Sequence, residues 1–126
     1  MGARILVIED NPLNLKLIKD VLEFHGFDVL TAGSGEEGVA LASSSSPDLV
    51  LMDLQLPGIG GREALQRLRA DGRCREIPVV AVTAFAMKDD AESAKAAGFD
   101  GYIAKPISVR ALPAQLAQFL PGGRDA

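Results

Sequence analysis

Five side chains in this sequence have the types and positions needed to bind a divalent cation and a phosphoryl group. Glu9 and Asp10 follow one apolar run, and Asp53 follows another. Thr83 and Lys105 follow two later runs and would add a hydroxyl and an ammonium group. Ionised carboxylates that lie close together repel one another, so such a cluster needs a cation or must take up protons. Oxygen ligands without histidine or cysteine favour Mg²⁺, which takes one or two carboxylates and keeps several waters.

An ionised Asp53 beside Mg²⁺ could act as a nucleophile and form an aspartyl phosphate. The transferred phosphoryl group carries charge on its peripheral oxygens, which a metal ion, an ammonium group and hydrogen-bond donors stabilise. Lys105 would supply the ammonium, Thr83 the hydroxyl, and the backbone N–H of the small Ala84 can approach a phosphate oxygen closely. Any one of these residues alone is more simply read as a helix cap or a solvated charge. The complete set, at matching positions, favours phosphoryl transfer.

These residues come together only if the apolar runs are strands of one sheet. Runs rich in β-branched and apolar residues predict five buried strands, at residues 5–8, 29–32, 49–52, 79–82 and 101–104. Segments with helical spacing follow them, at residues 12–25, 36–42, 62–69, 89–97 and 110–120. This alternation predicts an α/β fold with parallel strands and helices on both faces of the sheet. Sites in such sheets lie beyond the carboxyl ends of the strands, where the polar residues occur.

Local signals indicate where helices begin and end. Ser34, with Glu37 three residues later, predicts a capping box at the start of the second helix. The serines at 43–46 are read as the exit from that helix. Gly98 suits a helix end, and Pro113 must fall in the first turn of the last helix because proline disrupts a helix interior.

The composition fits one small domain. The chain has 126 residues, of which 48% are apolar, enough for one hydrophobic core over residues 1–120 with a short tail at 121–126. A formal net charge of -4 disfavours direct binding to nucleic acid. The single cysteine, Cys74, cannot form an internal disulfide, and no segment is long enough for a signal peptide or a membrane span. We therefore expect a cytoplasmic protein without membrane insertion.

Taken together, the motifs resemble the receiver domain of two-component response regulators over nearly the whole chain. The resemblance rests on Glu9-Asp10-Asn11, Asp53-Leu54-Gln55-Leu56-Pro57-Gly58, Thr83-Ala84 and Lys105-Pro106. It implies a flavodoxin-like, doubly wound (βα)5 fold with strand order 2-1-3-4-5. It also implies a stand-alone receiver domain over residues 1–120, with no effector domain in the tail.

By the same resemblance, Asp53 is the phosphoacceptor and takes its phosphoryl group from a histidine of a kinase or of a phosphotransfer protein. The Mg²⁺ ligands that the resemblance implies are Glu9, Asp10, Asp53 and the backbone carbonyl of Gln55. The groups that it places on the phosphoryl oxygens are Thr83, the backbone N–H of Ala84 and Lys105. The resemblance also makes the peptide bond before Pro106 a candidate cis bond, an isomer that X-Pro bonds adopt at modest cost.

Tyr102 matches the switch aromatic of this family, which is expected to turn inward when Thr83 moves toward the phosphoryl group. A simpler interpretation of Tyr102 is a half-buried aromatic at the edge of the sheet. The expected function is a signalling switch, not an enzyme in its own right, with output through phosphorylation-dependent contact with a downstream protein. The main alternative is a phosphate sink or relay intermediate that has no target of its own.

Two other interpretations of the motifs are possible. The segment Gly33-Ser34-Gly35-Glu36-Glu37-Gly38 has the spacing of a dinucleotide-binding fingerprint. That reading leaves the carboxylates, Thr83 and Lys105 unexplained, so we interpret these glycines as turn residues around a capped helix. A phosphatase of the haloacid dehalogenase type would carry a second aspartate two residues after its nucleophile. Gln55 occupies that place, which makes an aspartyl-phosphate phosphatase a distant alternative.

The first predicted helix is apolar over more than one face, spanning roughly 200° of the helix circumference. The sheet can bury Leu15, Ile18 and Leu22. An edge remains around Leu13, Leu17 and Phe24. Either a partner helix or the last helix of this chain would cover that edge, and the sequence favours neither.

Overall fold

The computed structural model describes residues 3–54, 56, 58–83, 95–104, 107–108 and 110–120. The strands are β1 (Arg4–Ile8), β2 (Asp28–Ala32), β3 (Leu49–Asp53), β4 (Val79–Thr83) and β5 (Gly101–Ala104). The helices are α1 (Pro12–Phe24), α2 (Gly35–Ser45), α3 (Gly61–Ala70) and a last helix, Leu112–Ala117. Of the helix predicted at residues 89–97, only 95–97 are described, and these are helical. The structure confirms the predicted alternation in the described ranges.

The five strands form one parallel sheet in the order β2-β1-β3-β4-β5. This is the expected flavodoxin-like order. β1 is paired on both sides, with Ile8 opposite Ala32 of β2 and opposite Met52 of β3. Among the described residues, no helix is long and apolar enough to cross a membrane.

Apolar side chains cover both faces of the sheet. On one face, Leu6 and Val50 belong to a core that includes residues of α2 and α3. On the other, Val7 and Leu51 belong to a second core with α1 and the last helix. Parallel strands buried on both faces require continuous apolar sequence. This explains why β1 and β3 could be predicted from runs of apolar residues.

The start of α2 follows its predicted capping chemistry, with one difference. The Ser34 hydroxyl accepts a hydrogen bond from the Glu37 N–H at 3.2 Å, as expected. The Glu37 carboxylate accepts from the N–H of Gly33 at 2.8 Å. The reciprocal bond therefore reaches the residue before the cap.

The predicted end of the second helix at residue 42 was wrong, because α2 continues through Ser45 and ends at Ser46 in a left-handed conformation with φ of 49°. The hydroxyls of Ser44 and Ser45 both donate to the Leu41 carbonyl. Such bonds to the preceding turn satisfy serine side chains inside a helix. Two other boundary signals are confirmed: Pro113 lies in the first turn of the last helix, and Gly98 has a φ of 109°.

The glycines of the dinucleotide-like segment serve close packing as well as turn formation. A Cβ atom on Gly35 would lie 2.7 Å from the Ile59 side chain, and one on Gly38 would collide with the side chain of Ile8. Carbon atoms that are not bonded cannot lie this close, so neither position has room for a Cβ atom. These glycines let α2 approach β1 and the β3–α3 loop, so the interpretation as turn residues alone was incomplete.

Arg69, at the end of α3, ties three segments together at the amino ends of β4 and β5. Its guanidinium donates to the carbonyls of Arg75 and Ile77 at 3.0 and 2.7 Å. It also pairs with the Asp100 carboxylate at 2.9 Å. The same Asp100 oxygen accepts from the Val79 N–H at 2.7 Å. One carboxylate thus serves both a charged side chain and a partly buried backbone amide.

We expect Asp100→Ala to lower the free energy of unfolding by about 1–2 kcal/mol, because it leaves the Val79 amide without this acceptor and removes a charge-assisted bond. Urea denaturation in EDTA would measure the change. Asp28→Ala is the matched control, since the side chain of Asp28 forms an exposed 3.3 Å pair with Arg4 and no other side-chain pair among the described residues. A pair of this kind is worth about 0–1 kcal/mol. Equal losses in the two variants would contradict the assigned role of Asp100.

Candidate functional site

The carboxyl ends of β1, β3 and β4 place Glu9, Asp10, Asp53 and the backbone of Thr83 at one edge of the sheet. Asp53 lies opposite Val82, and Thr83 lies opposite Ala104, the residue before Lys105. Asp53 is the last residue of β3, one residue beyond the apolar run predicted at 49–52. The ladder extends this far because the Leu54 N–H donates to the Val82 carbonyl at 3.0 Å.

Several predicted site groups lie outside the described residues. They are Gln55, Ala84, Lys105, Pro106 and the side chain of Thr83. The backbone of Thr83 is the last residue of β4. The roles of these groups at a metal ion and a phosphoryl group, and the cis peptide, remain predictions.

Glu9, Asp10 and Asp53 form one acidic cluster, as predicted. A carboxylate oxygen from each residue lies within 4.8 Å of the others. Glu9 and Asp53 are each only 3% exposed, whereas Asp10 is exposed. Two oxygens bound to one Mg²⁺ at its usual distance lie at most about 4.2 Å apart. The all-oxygen donor set and its spacing therefore fit Mg²⁺ with small side-chain adjustments.

Glu9 is held from two sides, by β2 and by the β1–α1 loop. Its N–H donates to the Ala32 carbonyl at 3.0 Å, and its carboxylate accepts from the Asn11 N–H at 3.0 Å. The Asn11 side chain in turn accepts from the N–H groups of Leu13 and Asn14, at 2.9 and 3.2 Å, and so caps α1. Asn11 therefore links the acidic cluster to the start of the helix. Sequence reasoning included Asn11 in a motif but assigned it no role.

The backbone that carries Asp53 is held between β4 and α3. The Leu54 N–H donates to Val82 of β4, and the Leu54 carbonyl accepts from the Gly61 N–H at 3.3 Å. Gly61 is the first residue of α3. The backbone position of Asp53 is thus defined by a strand on one side and a helix start on the other.

Tyr102 lies on the edge strand β5, opposite Ala81, and its side chain is 39% exposed. This placement agrees with an aromatic at the sheet edge. An inward turn linked to Thr83 remains a prediction.

Cys74 belongs to the hydrophobic core, with 1% of its surface exposed. Burial raises the pKa of its thiol, which disfavours the reactive thiolate. The structure gives this cysteine a packing role.

The apolar edge of α1 remains uncovered in the part of the chain that the structure describes. Leu13 is 79% exposed, Leu17 44% and Phe24 86%. Coverage by the last helix, one of the two alternatives left by the sequence, was therefore wrong.

The three side chains lie within a narrow stripe along the helix because residues four and seven apart share a face. We call Leu13, Leu17 and Phe24 the α1 stripe. Leu13 lies in the first turn, just after the loop that carries the acidic cluster.

Comparison with known proteins places these features in a family. The sequence pattern of the response regulator receiver domain matches residues 5–117. A protein of Brucella ovis named polar-differentiation response regulator DivK is 47% identical over 109 residues, which cover 86% of this chain and 89% of that relative. Its counterpart in Brucella anthropi is 46% identical over the same shares of the two proteins.

Solved structures show the same architecture. The receiver domain of a sensor histidine kinase from Pseudomonas aeruginosa superposes with a TM-score of 0.86 at 34% identity, covering 94% of this chain and 98% of that one. That protein has a magnesium ion coordinated in its active site cleft. Chemotaxis response regulator CheY4 of Vibrio cholerae has a TM-score of 0.90 at 24% identity, covering 95% of this chain and 100% of that one. The CheY4 comparison supports the fold alone.

We expect Mg²⁺ to stabilise the protein through the acidic cluster. A ligand that binds only the folded state at a hundredfold excess over its Kd adds about 2.7 kcal/mol to the free energy of unfolding. Asp10→Asn should lose much of this increment, because the exposed Asp10 contributes one carboxylate without supporting the core. Thermal unfolding with Mg²⁺ and with EDTA would measure it. Asp28→Asn, at the opposite end of the sheet, should keep the full increment, and full Mg²⁺ stabilisation of Asp10→Asn would contradict the assignment.

Proposed function

This chain belongs to the response regulator receiver domain family, and from that membership we propose that it is a phosphorylation switch in a two-component signalling system. In this proposal, Asp53 accepts a phosphoryl group from a histidine of a kinase or phosphotransfer protein. The observation that carries the proposal is the cluster of carboxylate oxygens from Glu9, Asp10 and Asp53 within 4.8 Å at the carboxyl edge of the sheet.

The chemistry follows from the positions of these groups. A carboxylate oxygen of Asp53 attacks the phosphorus of a phosphohistidine, an O–P bond forms, and the N–P bond breaks with its electron pair left on the histidine nitrogen. Glu9 and Asp10 would hold Mg²⁺ beside Asp53 through their carboxylate oxygens. When bound, Mg²⁺ would neutralise charge on the phosphoryl oxygens. Burial of Asp53 limits access of bulk water to the reacting carboxylate and strengthens the electrostatic interactions at the site.

The groups expected to complete the site come from the family resemblance. They are Thr83, the backbone N–H of Ala84, Lys105 and the backbone carbonyl of Gln55. We propose that the first three bind phosphoryl oxygens, that the fourth binds the metal ion, and that Tyr102 reports the change to a downstream protein. The chain would then catalyse only its own phosphorylation and dephosphorylation.

The α1 stripe gives the phosphoryl donor a surface to bind. It begins with Leu13, two residues after the Asn11 cap that contacts Glu9, so a helix lying along α1 would reach the acidic cluster. Three large apolar side chains that are 44–86% exposed on one side of a helix indicate a protein contact. We propose that a helix of the histidine-bearing donor packs on it.

A cytoplasmic location is part of the proposal. It rests on the family and on the single cysteine of the sequence, which cannot form an internal disulfide.

The central test is labelling with acetyl phosphate, a small donor that needs no docking surface. We expect Mg²⁺-dependent incorporation of one phosphoryl group into the parent protein and none into Asp53→Asn, because an amide oxygen is a poor nucleophile. Phosphate-affinity electrophoresis or intact mass spectrometry would detect it. Asp28→Asn is the control and should label like the parent. Unchanged labelling of Asp53→Asn would refute the proposal.

The donor surface can be tested by comparing two kinds of donor. With a phosphorylated histidine protein, Leu13→Ser should slow transfer about tenfold, equivalent to roughly 1.4 kcal/mol, because the contact loses apolar surface. With acetyl phosphate, the same variant should label at the parent rate. Leu13→Met keeps the apolar surface and should behave as the parent with both donors. Equal slowing with both donors would place the effect at the site itself and not at a docking surface.

A phosphate sink differs from a signalling switch in the proteins that bind to its phosphorylated form. Beryllium fluoride mimics the phosphoryl group and can be added in a pull-down with the parent protein as bait. A signalling switch should then bind a protein that is neither a kinase nor a phosphotransfer protein. Retention of kinases or phosphotransfer proteins alone would favour the sink.

A further inference from the structure

We propose that Gly61 is a positioning residue for the Asp53 carboxylate. The missing side chain at the first position of α3 lets the helix close directly on the backbone of residues 53 and 54, and so fixes the carboxylate within the acidic cluster. This inference rests on the proposed function of Asp53 and adds a requirement to it.

The contact between Gly61 and the phosphoacceptor backbone leaves no room for a methyl group. A Cβ atom on Gly61 would lie 2.9 Å from the Asp53 carbonyl oxygen and 2.9 Å from the Leu54 Cα. Ordinary van der Waals contact begins at 3.4 Å, so the shortfall is about half an ångström. Both obstructing atoms belong to the backbone, which cannot rotate aside as a side chain can.

The strand side of the same peptide is also fixed. The Leu54 N–H donates to the Val82 carbonyl at 3.0 Å, and Asp53 lies opposite Val82 in the ladder. Farther along the β3–α3 loop, Ile59 packs on Gly35 of α2 with similarly little space. Moving the loop away from α3 would therefore disturb the Leu54 hydrogen bond at one end and the packing of Ile59 on Gly35 at the other.

The helix, for its part, is anchored in the core. Ala64, Leu65 and Leu68 of α3 are each no more than 1% exposed. Withdrawing α3 by half an ångström would disturb all three, whereas shifting the Asp53–Leu54 peptide disturbs one end of a strand. A methyl group at Gly61 is therefore expected to act mainly on the peptide that carries the phosphoacceptor.

Displacement of Asp53 would alter its geometry relative to the other two carboxylates. Glu9 is held by the Ala32 carbonyl and the Asn11 N–H, both outside the β3–α3 loop. It would not follow a shift of Asp53. Because reactive groups must be held within about 0.5 Å of their productive positions, a displacement of this size affects both metal binding and phosphoryl transfer.

The chain provides a matched control in the preceding residue. A Cβ atom on Gly60 would meet nothing within 4 Å, and its φ of -74° suits any residue. Gly60→Ala and Gly61→Ala are thus the same chemical change at adjacent positions. Alanine also favours helix formation over glycine, which offsets part of the strain at Gly61.

The experiment compares parent, Gly60→Ala, Gly61→Ala and Asp53→Asn. Calorimetric titration with MgCl2 gives the Kd of Mg²⁺, and acetyl phosphate at saturating Mg²⁺ gives the labelling rate. We expect Gly61→Ala to remain folded by circular dichroism, to bind Mg²⁺ several-fold more weakly and to label at least tenfold more slowly, since small misplacements cost about that much or more. Gly60→Ala should stay within about twofold of the parent in both measurements.

Each other outcome counts against the proposal. A folded Gly61→Ala with the Kd and labelling rate of Gly60→Ala would show that Asp53 does not depend on Gly61. A Gly61→Ala that does not fold, beside a folded Gly60→Ala, would assign the glycine to the fold and not to the carboxylate. A parent that takes no label on Asp53 would refute the proposed function itself, whereas a labelled parent with an unaffected Gly61→Ala refutes only the positioning role.

Discussion

The rest of the structure depends on holding three carboxylates together against their mutual repulsion. Glu9, Asp10 and Asp53 place oxygens within 4.8 Å of one another. Two ionised groups at that distance repel by about 3.5 kcal/mol at an effective dielectric constant of 20, which is typical near a protein surface. Burial of one leucine contributes about 1.5–3 kcal/mol. β1 and β3 bury apolar side chains on both faces, so the core can hold the cluster together until a cation or a proton neutralises it.

Much of the fold could be predicted from the sequence because strands buried on both faces are written as unbroken apolar runs. The order of the strands came from family resemblance, since apolar runs identify strands but not their neighbours. The end of α2 was missed because the hydroxyls of Ser44 and Ser45 bond to the preceding turn. That possibility depends on side-chain geometry, which a composition rule for serine does not contain.

The site was predictable to the extent that parallel strands bring their carboxyl ends together. This rule alone groups Glu9 and Asp10 with Asp53. It could not separate Gly60 from Gly61, which are adjacent identical letters, because the difference between them is the space around a Cβ atom. The bond between Asp100 and Arg69 could not be predicted either, because it joins residues 31 positions apart in the sequence.

The α1 stripe has an evolutionary consequence. Leu13 and Phe24 are 79% and 86% exposed, so replacing them removes little buried surface and costs little folding stability. Mutations of Leu13 and Phe24 therefore change the free energy of unfolding little. If these side chains help to select the phosphoryl donor, duplicated copies of such a gene can acquire new donors, and become insulated from the old ones, without first acquiring compensating mutations in the core.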